Sequence, residues 1–598
     1  MSIQYLDSEK LYYSFLSGAQ EVIRNKRVLN EINVFPVSDG DTGSNLAYTM
    51  LSIIQEARIA ATVKETMNSI ADAALTGARG NSGIIIAQYI NGIFMSISDD
   101  ERITIPLFAT MVKSAVPHAY HAIANPVEGT IITVIKDWAE AINRYKDHAK
   151  DFHELLSKSM IDAMTSLKET TYKLKVLEDS KVVDSGAKGF VYFIEGFTQF
   201  LKSGHFTSDH DLNQEEITFT EYPAHDHAEI HERFCTEALI SGHDLDLDAI
   251  RDELGHLGDS LIVAGNRGKA KVHIHTNRPV EIFQLLKKKG TILQQKADDM
   301  VRQNEDAYHR KHSIALVTDS IADLPMEYMD ENQIHMMPLN LVFDGSTYLD
   351  KITMTPEVFY PLLDQVEEYP KSAQPNLKVV ENYLGTIASH YDQIIVITVA
   401  KAQSGTNSIF EKAAERFRKE GKDITVIDSK QNSGAEGLLV MKAAELIREG
   451  RDYSAILEEI NGLRDRTKIL VSVNTLKYMV RSGRLKKVAG LAGSIMNLKP
   501  VVSLDEEGKG SIAAKAFSEK SNTNKILQIM KADEKEKKIT RYSIVHANAE
   551  ERALELKSRC VSLLGYEPLY IMNISTIVGM SAGVGTVAVS YMCEKGES

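Results

Sequence analysis

Helical periodicity without a strand series over residues 1–204 constrains the fold of this 598-residue chain more than any other feature. Leu11, Phe15 and Ile23 fall on one helical face, and helical character resumes at Leu46. Six further segments share this periodicity: 63–77, 83–96, 104–124, 128–145, 151–171 and 186–202. The pattern predicts an all-α helical bundle for the first third of the chain.

Strand-like segments enter the sequence beyond this region. Residues 205–224 lose periodicity and become polar, which is typical of a linker. Between 225 and 300, short apolar segments such as 234–240 and 271–276 alternate with helical ones. This alternation predicts a small α/β module, which a second polar stretch at 297–312 separates from the rest of the chain.

The remainder, residues 313–598, alternates apolar strands with helices. Its clearest strand segments are 393–399, 424–428 and 469–473. Apolar strands separated by helices are typical of sheets that helices cover on both faces. We therefore predict a C-terminal α/β domain with largely parallel sheets, and a multidomain chain overall.

Composition narrows the class of protein further. The formal net charge of -14 argues against bulk attraction to nucleic acid, so nucleic acid could bind only at a local basic patch. Three cysteines, Cys235, Cys560 and Cys593, are too few and too odd in number for a disulfide framework. The sequence has no secretory signal at its start and no apolar run of the roughly 20 residues that would span a bilayer. We expect a cytoplasmic protein without an integral membrane segment.

Two carboxylates stand two residues apart in the loop Asp39-Gly40-Asp41-Thr42-Gly43, with Asn33 close before them. Mg²⁺ prefers oxygen ligands and is often shared with substrate phosphates. The same residues also fit a solvated Asp-Gly turn. Taken alone, the loop therefore leaves metal binding and a plain turn open.

Three more glycine-containing loops precede helices of the same bundle. They cover 77–83, 125–130 and 183–189. Free N–H groups at a helix start can cradle phosphate, although each loop alone would be an ordinary helix cap. Four such loops at helix starts of one bundle indicate a single site at one end of it.

These four loops resemble the nucleotide-binding domain of dihydroxyacetone kinases, especially the version in bacterial fatty-acid kinases, over roughly residues 1–205. The resemblance implies an α-helical barrel in which Asn33, Asp39 and Asp41 hold Mg²⁺ and ATP phosphates, with Asp39 and Asp41 catalytic. It also implies a second set of residues around the nucleotide: Ser44, Asn45, Gly80, Asn81, Ser82, Thr130 and Asp184. Ser38 stands where that family often has Pro, and Lys188 could add a phosphate contact.

His273 and His275 alternate on a predicted strand, so their imidazoles share one face. Cys235 lies on a strand that could pair beside it, and two His with one Cys could form an open Zn²⁺ site. A sheet-surface His pair and a small buried Cys are the plain alternative. Residues 225–300 resemble the central domain of the fatty-acid kinases, and this resemblance implies that all three residues bind zinc, in a structural or a catalytic role.

Residues 313–598 resemble the DegV family of fatty-acid-binding proteins. The resemblance rests on segments such as 317–320, 404–406 and 481–485. It implies a two-subdomain α/β fold that buries an acyl chain, with the lipid carboxylate near four residues: Ser372, Ser404, Arg484 and Ser581. Ser581 stands where that family has a histidine, so either its hydroxyl replaces the histidine or the ligand differs. His546 could compensate, although a core or surface histidine is the simpler interpretation.

Together these patterns predict an ATP- and Mg²⁺-dependent kinase that phosphorylates a fatty-acid carboxylate to an acyl phosphate. The expected partners are a fatty acid or related lipid, an enzyme that accepts the acyl phosphate, and a second copy of the chain in a homodimer. Two alternatives stay open: a non-enzymatic lipid-binding or regulatory protein, and a kinase for a small hydroxy-ketone such as dihydroxyacetone.

Overall fold

The computed structural model describes residues 3–35, 40–97, 102–206, 230–363, 365–366, 368–482 and 498–594. These residues divide into two compact units, Met1–Val301 and Arg302–Ser598. Two residues predicted to bind ligands, Asp39 for Mg²⁺ and Arg484 for lipid, lie outside the described residues. Within the described ranges, no helix is both long enough and apolar enough to cross a membrane.

The first two hundred residues are helical, as the periodicity predicts. The helices are α1 (Ser8–Arg24), α2 (Lys26–Glu31), α3 (Thr42–Glu56), α4 (Val63–Gly77), α5 (Gly80–Met95), α6 (Ile105–Ala122), α7 (Ile131–Tyr145), α8 (Phe152–Lys173), α9 (Lys175–Ser180) and α10 (Ser185–Ser203). Side-chain caps fix several starts; Thr62 and Glu65 form a reciprocal capping box at α4. A short antiparallel pair, β1 (Tyr5–Leu6) and β2 (Ile103–Thr104), accompanies the helices.

An aromatic core fills the interior of the helical bundle. Trp138 lies edge-on to Phe108 and Phe190, with ring centroids 6.3 and 5.6 Å apart. Phe197 stacks near Phe108 at 6.2 Å. Edge-to-face and offset contacts are the favoured aromatic geometries, so this core holds the helices that carry the predicted ligand loops at their starts.

The small module is an antiparallel sheet of order β4-β5-β3-β6 with helices against it. Its elements are β3 (Phe234–Ser241), α11 (Leu247–Leu254), β4 (Asp259–Asn266), β5 (Lys269–Thr276), α12 (Pro279–Lys289) and β6 (Thr291–Asp299). Helix α13 (Met300–Tyr308) follows and belongs mostly to the second unit. The predicted linker at 297–312 is therefore largely structured. Its polar composition concealed this from the sequence, because polar residues of this stretch, Arg302 and Asp306, are buried.

The sheet of the small module packs against the helical bundle within the same unit. Ile123 forms an antiparallel bridge with Ile262 on β4. Gly265 donates its N–H to Gln88 Oε1 at 2.8 Å and accepts from Asn91 Nδ2 at 3.0 Å. Both side chains are on α5, so the module sits against the helix whose start is a predicted phosphate loop.

The second unit begins with a parallel sheet of order β13-β12-β7-β8 and a small antiparallel sheet of order β10-β9-β11. Its elements are β7 (Ile314–Asp319), α14 (Met326–Glu331), β8 (His335–Met337), β9 (Asn340–Phe343), β10 (Ser346–Leu349), α15 (Pro356–Leu362), β11 (Lys371–Ala373), α16 (Leu377–Ala388), β12 (Gln393–Thr398), α17 (Thr406–Lys419), β13 (Asp423–Asp428), α18 (Ser433–Arg448) and α19 (Tyr453–Arg464). Here strand-helix alternation predicts the parallel sheet correctly.

A six-stranded sheet of order β16-β15-β14-β19-β17-β18 completes the second unit. Its elements are β14 (Thr467–Ser472), α20 (Lys477–Arg481), β15 (Val501–Leu504), β16 (Gly510–Ala514), α21 (Glu519–Lys537), β17 (Ile539–His546), α22 (Glu550–Leu564), β18 (Ile571–Asn573), α23 (Thr576–Ala582) and β19 (Val587–Cys593). Only β17 and β18 pair in parallel, so the prediction of largely parallel sheets is wrong for this sheet. A tight turn joins β15 to β16, and chain-distant strands such as β14 and β19 pair antiparallel.

Candidate functional site

The carboxylate loop is fastened to the start of α3 by two asparagines. Asn30 Oδ1 accepts the N–H of Ser44 at 3.0 Å, and its Nδ2 donates to Ser44 Oγ at 3.0 Å. Asn33 Oδ1 accepts the hydroxyl of Thr42 at 2.7 Å. Asp41 stands at the N-cap position of α3 without a side-chain bond to the helix start. The structure therefore places Asn33, Asp41 and Ser44 together at one helix start.

The loop before α5 packs against the same helix start. Gly80 has a φ of +59°, and a Cβ at this position would lie 2.6 Å from Asn45 Nδ2. Gly83 is equally confined, with a would-be Cβ 2.5 Å from Thr49 Oγ1. The positive φ favours glycine at 80, and at both positions a Cβ would force the neighbouring side chain to move. This contact brings the predicted ligand residues Asn45 and Gly80 side by side.

Asp184 connects the two remaining loops to this end of the bundle. Its carboxylate caps α10 by accepting the N–H of Ala187 at 2.8 Å and also accepts the N–H of Ile131 at the start of α7. A Cβ at Gly186 would lie 2.4 Å from Ser82 Oγ. Burial raises the pKa of Asp184 to about 6. All four predicted loops thus converge on one end of the bundle.

Thr130 and Asn81 occupy the same end with different bonding. Thr130 Oγ1 donates to Val127 O at 2.8 Å, and Gly129 N–H donates to Thr133 Oγ1 at 2.8 Å, so this loop is held by its own bonds. Asn81 Oδ1 is buried without a hydrogen-bond partner among the described residues. A buried acceptor without a partner is costly, which fits a bound group that donates to it or coordinates it.

Cys235, His273 and His275 form a cluster on one face of the small module. Their candidate ligand atoms all lie within 4.8 Å of one another. The sheet register explains this, because Cys235 is directly opposite His275 on the neighbouring strand. The structure therefore brings together all three residues that the resemblance implies as zinc ligands.

The chemistry of these three side chains fits a zinc ion. His273 Nε2 is buried and has no partner among the described residues. Burial and then the neighbouring His273 lower the pKa of His275 to about 3, which keeps this imidazole in the neutral form that binds metals. Burial raises the pKa of the Cys235 thiol well above its ordinary value; a bound cation would favour the thiolate. One Cys and two His leave a fourth coordination position open.

Charged residues surround the cluster, and sequence reasoning assigned them no role. Glu237 pairs opposite His273 on one side and Lys296 on the other. Its Oε2 lies 3.2 Å from Lys271 Nζ, and both side chains are almost fully buried. Although burial acts in the opposite sense, Lys271 and then His273 hold the pKa of Glu237 well below its ordinary value. Period-two spacing from Cys235 to Glu237 was the signal that could have identified this residue.

The candidate metal cluster and the loop end of the bundle share one region of the first unit. The charge of Asp41 contributes to raising the pKa of Cys235. Gly80 N–H donates to Glu237 Oε1 at 2.9 Å, a bond between α5 and the small module. The Cys235, His273 and His275 cluster and the helix-start loops therefore lie within electrostatic range of each other.

Three of the four predicted lipid residues, Ser372, Ser404 and Ser581, are connected with residues 369–374. Ser372 is on β11, opposite Leu341. Gln374, two residues after Ser372, lies against the turn that contains Ser404. A Cβ at Gly405 would be only 2.0 Å from Oε1 of Gln374. Ser404 Oγ lies 2.8 Å from Thr406 Oγ1 and caps the start of α17. The segment therefore connects Ser372 with Ser404.

Tyr369 connects the same segment with Ser581. Its hydroxyl donates to the carbonyl of Met580, and its ring centroid lies 5.0 Å from Arg481 Cζ. Ser581 Oγ is buried without a partner among the described residues. A buried hydroxyl that lacks a partner is suited to donate to a ligand carboxylate.

Buried carboxylates fix the start of the helix that carries Ser581. Asp350 accepts from the N–H of Thr576 at 2.9 Å, and Asp323 accepts from the N–H of Ser575 at 2.9 Å. Asp350 also accepts from Ser320 Oγ at 2.7 Å, at the end of β7. These bonds set the position of α23, and with it Ser581, relative to the parallel sheet.

His546 does not share this arrangement. Its Nδ1 accepts the N–H of Ala549 at 3.3 Å at the end of β17, and burial lowers its pKa. The contact gives His546 a structural role at the start of α22. The described contacts connect Ser581, and not His546, to residues 369–374.

Three family models match the chain in succession. A model described as DAK2 domain matches residues 36–199, and one described as the middle domain of fatty acid kinase-like proteins matches residues 231–307. A model described as uncharacterised protein, DegV family, matches residues 313–594. This order confirms the predicted succession of a helical region, a small middle module and a C-terminal α/β region.

Relatives match about half of the chain. An uncharacterized protein of Staphylococcus epidermidis is 32% identical over 345 residues, which cover 52% of this chain and 60% of that protein. One from Staphylococcus saprophyticus is 32% identical over 320 residues, covering 52% of this chain and 58% of its own length. The chain thus spans about three fifths of the length of these curated relatives.

Solved structures similar to the chain include two DegV proteins described as binding fatty acids. The protein from Thermus thermophilus is 27% identical, with a TM-score of 0.44, and the match covers 47% of this chain and 99% of that one. The protein from Bacillus subtilis is 27% identical, with a TM-score of 0.43, and the match covers 48% of this chain and all of that one.

Proposed function

We propose that this chain, which combines a DAK2 domain, a fatty acid kinase-like middle domain and a DegV domain, phosphorylates a fatty-acid carboxylate with ATP and Mg²⁺. The product is an acyl phosphate. The observation that carries the proposal is the convergence of four helix-start loops on one end of the bundle, beside a candidate metal cluster and on the same chain as a DegV domain.

The first unit supplies groups suited to a nucleotide. Helix starts offer N–H donors to phosphate oxygens, and those of α3, α5, α7 and α10 are brought together through Asn45, Gly80, Asp184 and Ser82. Asn33, Asp41 and the flanking Asp39 are the oxygen donors for Mg²⁺. When bound, Mg²⁺ would neutralise phosphate charge. Cys235, His273 and His275 would hold Zn²⁺ in a structural or catalytic role.

The second unit supplies groups suited to a carboxylate. Ser372, Ser404 and Ser581 are hydroxyl donors around residues 369–374. Each buried methylene of a fatty acid would add about 0.8 kcal/mol to binding. The hydroxyls would fix the head group, as the few polar groups of apolar ligand sites do.

The transfer needs no general base. A carboxylic acid with a pKa near 4 to 5 is already ionised at pH 7, so its oxygen can attack the γ-phosphorus directly. A bond forms between the carboxylate oxygen and the γ-phosphorus. The bond from the γ-phosphorus to the oxygen that bridges it to the β-phosphorus breaks, and ADP leaves. The residues of this chain would therefore act mainly by positioning both reactants and by electrostatic stabilisation.

Native mass spectrometry of the full chain tests the two binding steps. With Mg²⁺ and a non-hydrolysable ATP analogue, we expect the mass of one nucleotide per chain, lost in Asp41→Asn. With oleate, we expect one fatty acid per chain, reduced in Ser581→Ala. Failure to detect the nucleotide adduct would refute the kinase assignment, and failure to detect the lipid adduct would refute the acceptor assignment.

A further inference from the structure

Glu237 has two kinds of neighbour that belong to different parts of the first unit. Its Oε1 accepts the N–H of Gly80, 157 positions away in sequence, at 2.9 Å. The same oxygen lies 3.5 Å from Nδ1 of His273, and its other oxygen lies 3.2 Å from Nζ of Lys271. A single buried carboxylate therefore touches the first residue of α5 and a candidate metal ligand.

Glu237 borders the candidate metal cluster through His273. Carboxylates beside metal-binding histidines commonly fix the orientation of the ring. Here Nδ1 of His273 lies 3.5 Å from Glu237 Oε1 and 3.9 Å from Cys235 Sγ, while its buried Nε2 has no partner among the described residues. A cation held by the Cys235, His273 and His275 cluster would therefore act on the position and charge of Glu237.

The contact to Gly80 places that charge at a phosphate loop. The first N–H groups of a helix have no partner within the helix, and Glu237 takes the one from Gly80. Gly80 is confined on its other side by Asn45, which a Cβ would approach to 2.6 Å. A displacement of Glu237 must therefore shift the backbone that leads to Asn81 and Ser82.

We infer that Glu237 is a positioning residue that couples metal occupancy at the Cys235, His273 and His275 cluster to nucleotide affinity at the loop before α5. This inference rests on the proposed function for the identity of the nucleotide. Coupling between two sites is reciprocal in binding free energy. An occupied cluster would hold His273 and Glu237 in place and with them the N–H of Gly80, so zinc strengthens nucleotide binding, and bound nucleotide strengthens zinc binding by the same factor.

The test measures the dissociation constant of a non-hydrolysable Mg·ATP analogue by calorimetry, before and after a zinc-selective chelator, with zinc content followed by elemental analysis. The test variant is Glu237→Leu with Lys271→Met, because removing only one member of a buried ion pair leaves the other charge unpaired. The matched control is Asp72→Asn, which removes an ion pair of 2.6 Å with Lys269 between the same two domains without touching Glu237.

We expect chelation to weaken nucleotide binding about fivefold or more in the wild type and in Asp72→Asn, within the usual range of coupling between sites. In the double variant we expect less than about a twofold change. A wild-type change below twofold, or an equal change in the double variant, overturns the inference.

Hydrogen exchange of the wild type decides the matter if the double variant does not fold. Zinc removal should raise exchange at the amides of residues 80–84 more than along α6, and equal exchange overturns the inference. These readouts need no phosphoryl transfer. A wild type that shows the coupling but makes no acyl phosphate refutes the proposed function alone, and one that makes acyl phosphate without coupling refutes this inference alone.

Discussion

Replacing Asp184 by Asn should remove one part of the pH dependence of stability in the first unit. Burial raises the pKa of this carboxyl from 3.8 to about 6, so the folded state holds its proton more tightly than the unfolded state does. The stabilisation of the folded state by this carboxyl is therefore fully present at pH values below its unfolded pKa. This stabilisation is lost as the pH rises through about 6. At about 1.4 kcal/mol per pKa unit, the loss is about 3 kcal/mol.

The chain offers a local probe for this effect. Its single tryptophan, Trp138, is buried in the core of the helical bundle, so its fluorescence during urea unfolding reports on the first unit. Asp319 in the second unit, whose pKa burial also raises to about 6, is unchanged in the variant.

The free energy of unfolding of wild type minus that of Asp184→Asn should fall by about 2.4 kcal/mol between pH 4 and pH 7, because the unfolded carboxyl, with a pKa of 3.8, is already more than half ionised at pH 4. The measured quantity is the slope of this difference against pH. Its absolute value also contains the altered contact with Ile131, although Asn keeps an acceptor for the helix cap. A difference that stays flat over this range, or rises, would show that burial does not govern this carboxyl.

Three further outcomes follow from the two units. Gly80→Ala should weaken nucleotide binding and lower the free energy of unfolding by about 1–3 kcal/mol, because its Cβ would meet Asn45 at 2.6 Å with a φ of +59°. Gly385→Ala lies inside helix α16 with its nearest atom at 3.4 Å, so it should leave nucleotide binding unchanged and should not lower the free energy of unfolding. Equal losses for the two variants in titrations and urea melts would contradict the packing account. Elemental analysis should find zinc in the purified protein and little in His273→Ala, and equal content in both would rule out this cluster as the metal site. Ser581→Ala should bind oleate about tenfold more weakly in a fluorescence displacement assay, as expected for one lost bond to a carboxylate; unchanged affinity would remove Ser581 from the head-group site.

The sequence predicts the helical bundle well because its signals are local. Apolar spacing fixes each helix, and caps such as Thr62 with Glu65 or Asp184 mark the starts. The Cys235, His273 and His275 cluster could also be predicted from the sequence. Period-two alternation places His273 and His275 on one face of a strand, and the pairing of the neighbouring strand brings Cys235 opposite His275.

Other features depend on contacts that leave no local trace. The antiparallel pairing of β14 with β19 joins segments more than a hundred residues apart, and strand-helix alternation does not reveal it. From the sequence alone, Glu237 resembles any charged residue on a strand, and only its bond to Gly80 shows that it lies between the candidate metal cluster and the loop before α5. The grouping of Ser372, Ser404 and Ser581 likewise depends on Tyr369 and Gln374.

The most direct test of the central proposal is trapping of acyl phosphate by hydroxylamine, with the full chain, Mg·ATP and a long-chain fatty acid. We predict ATP-dependent acyl hydroxamate from the wild type and from Asp162→Asn, a half-buried carboxylate of α8 that is paired with Arg144 and has no place in the proposed site. In Asp41→Asn we predict a loss on the order of 100-fold, comparable to removal of one electrostatic contact to the transition state. Hydroxamate that fails to form in the wild type, or that forms equally in Asp41→Asn, would contradict the account.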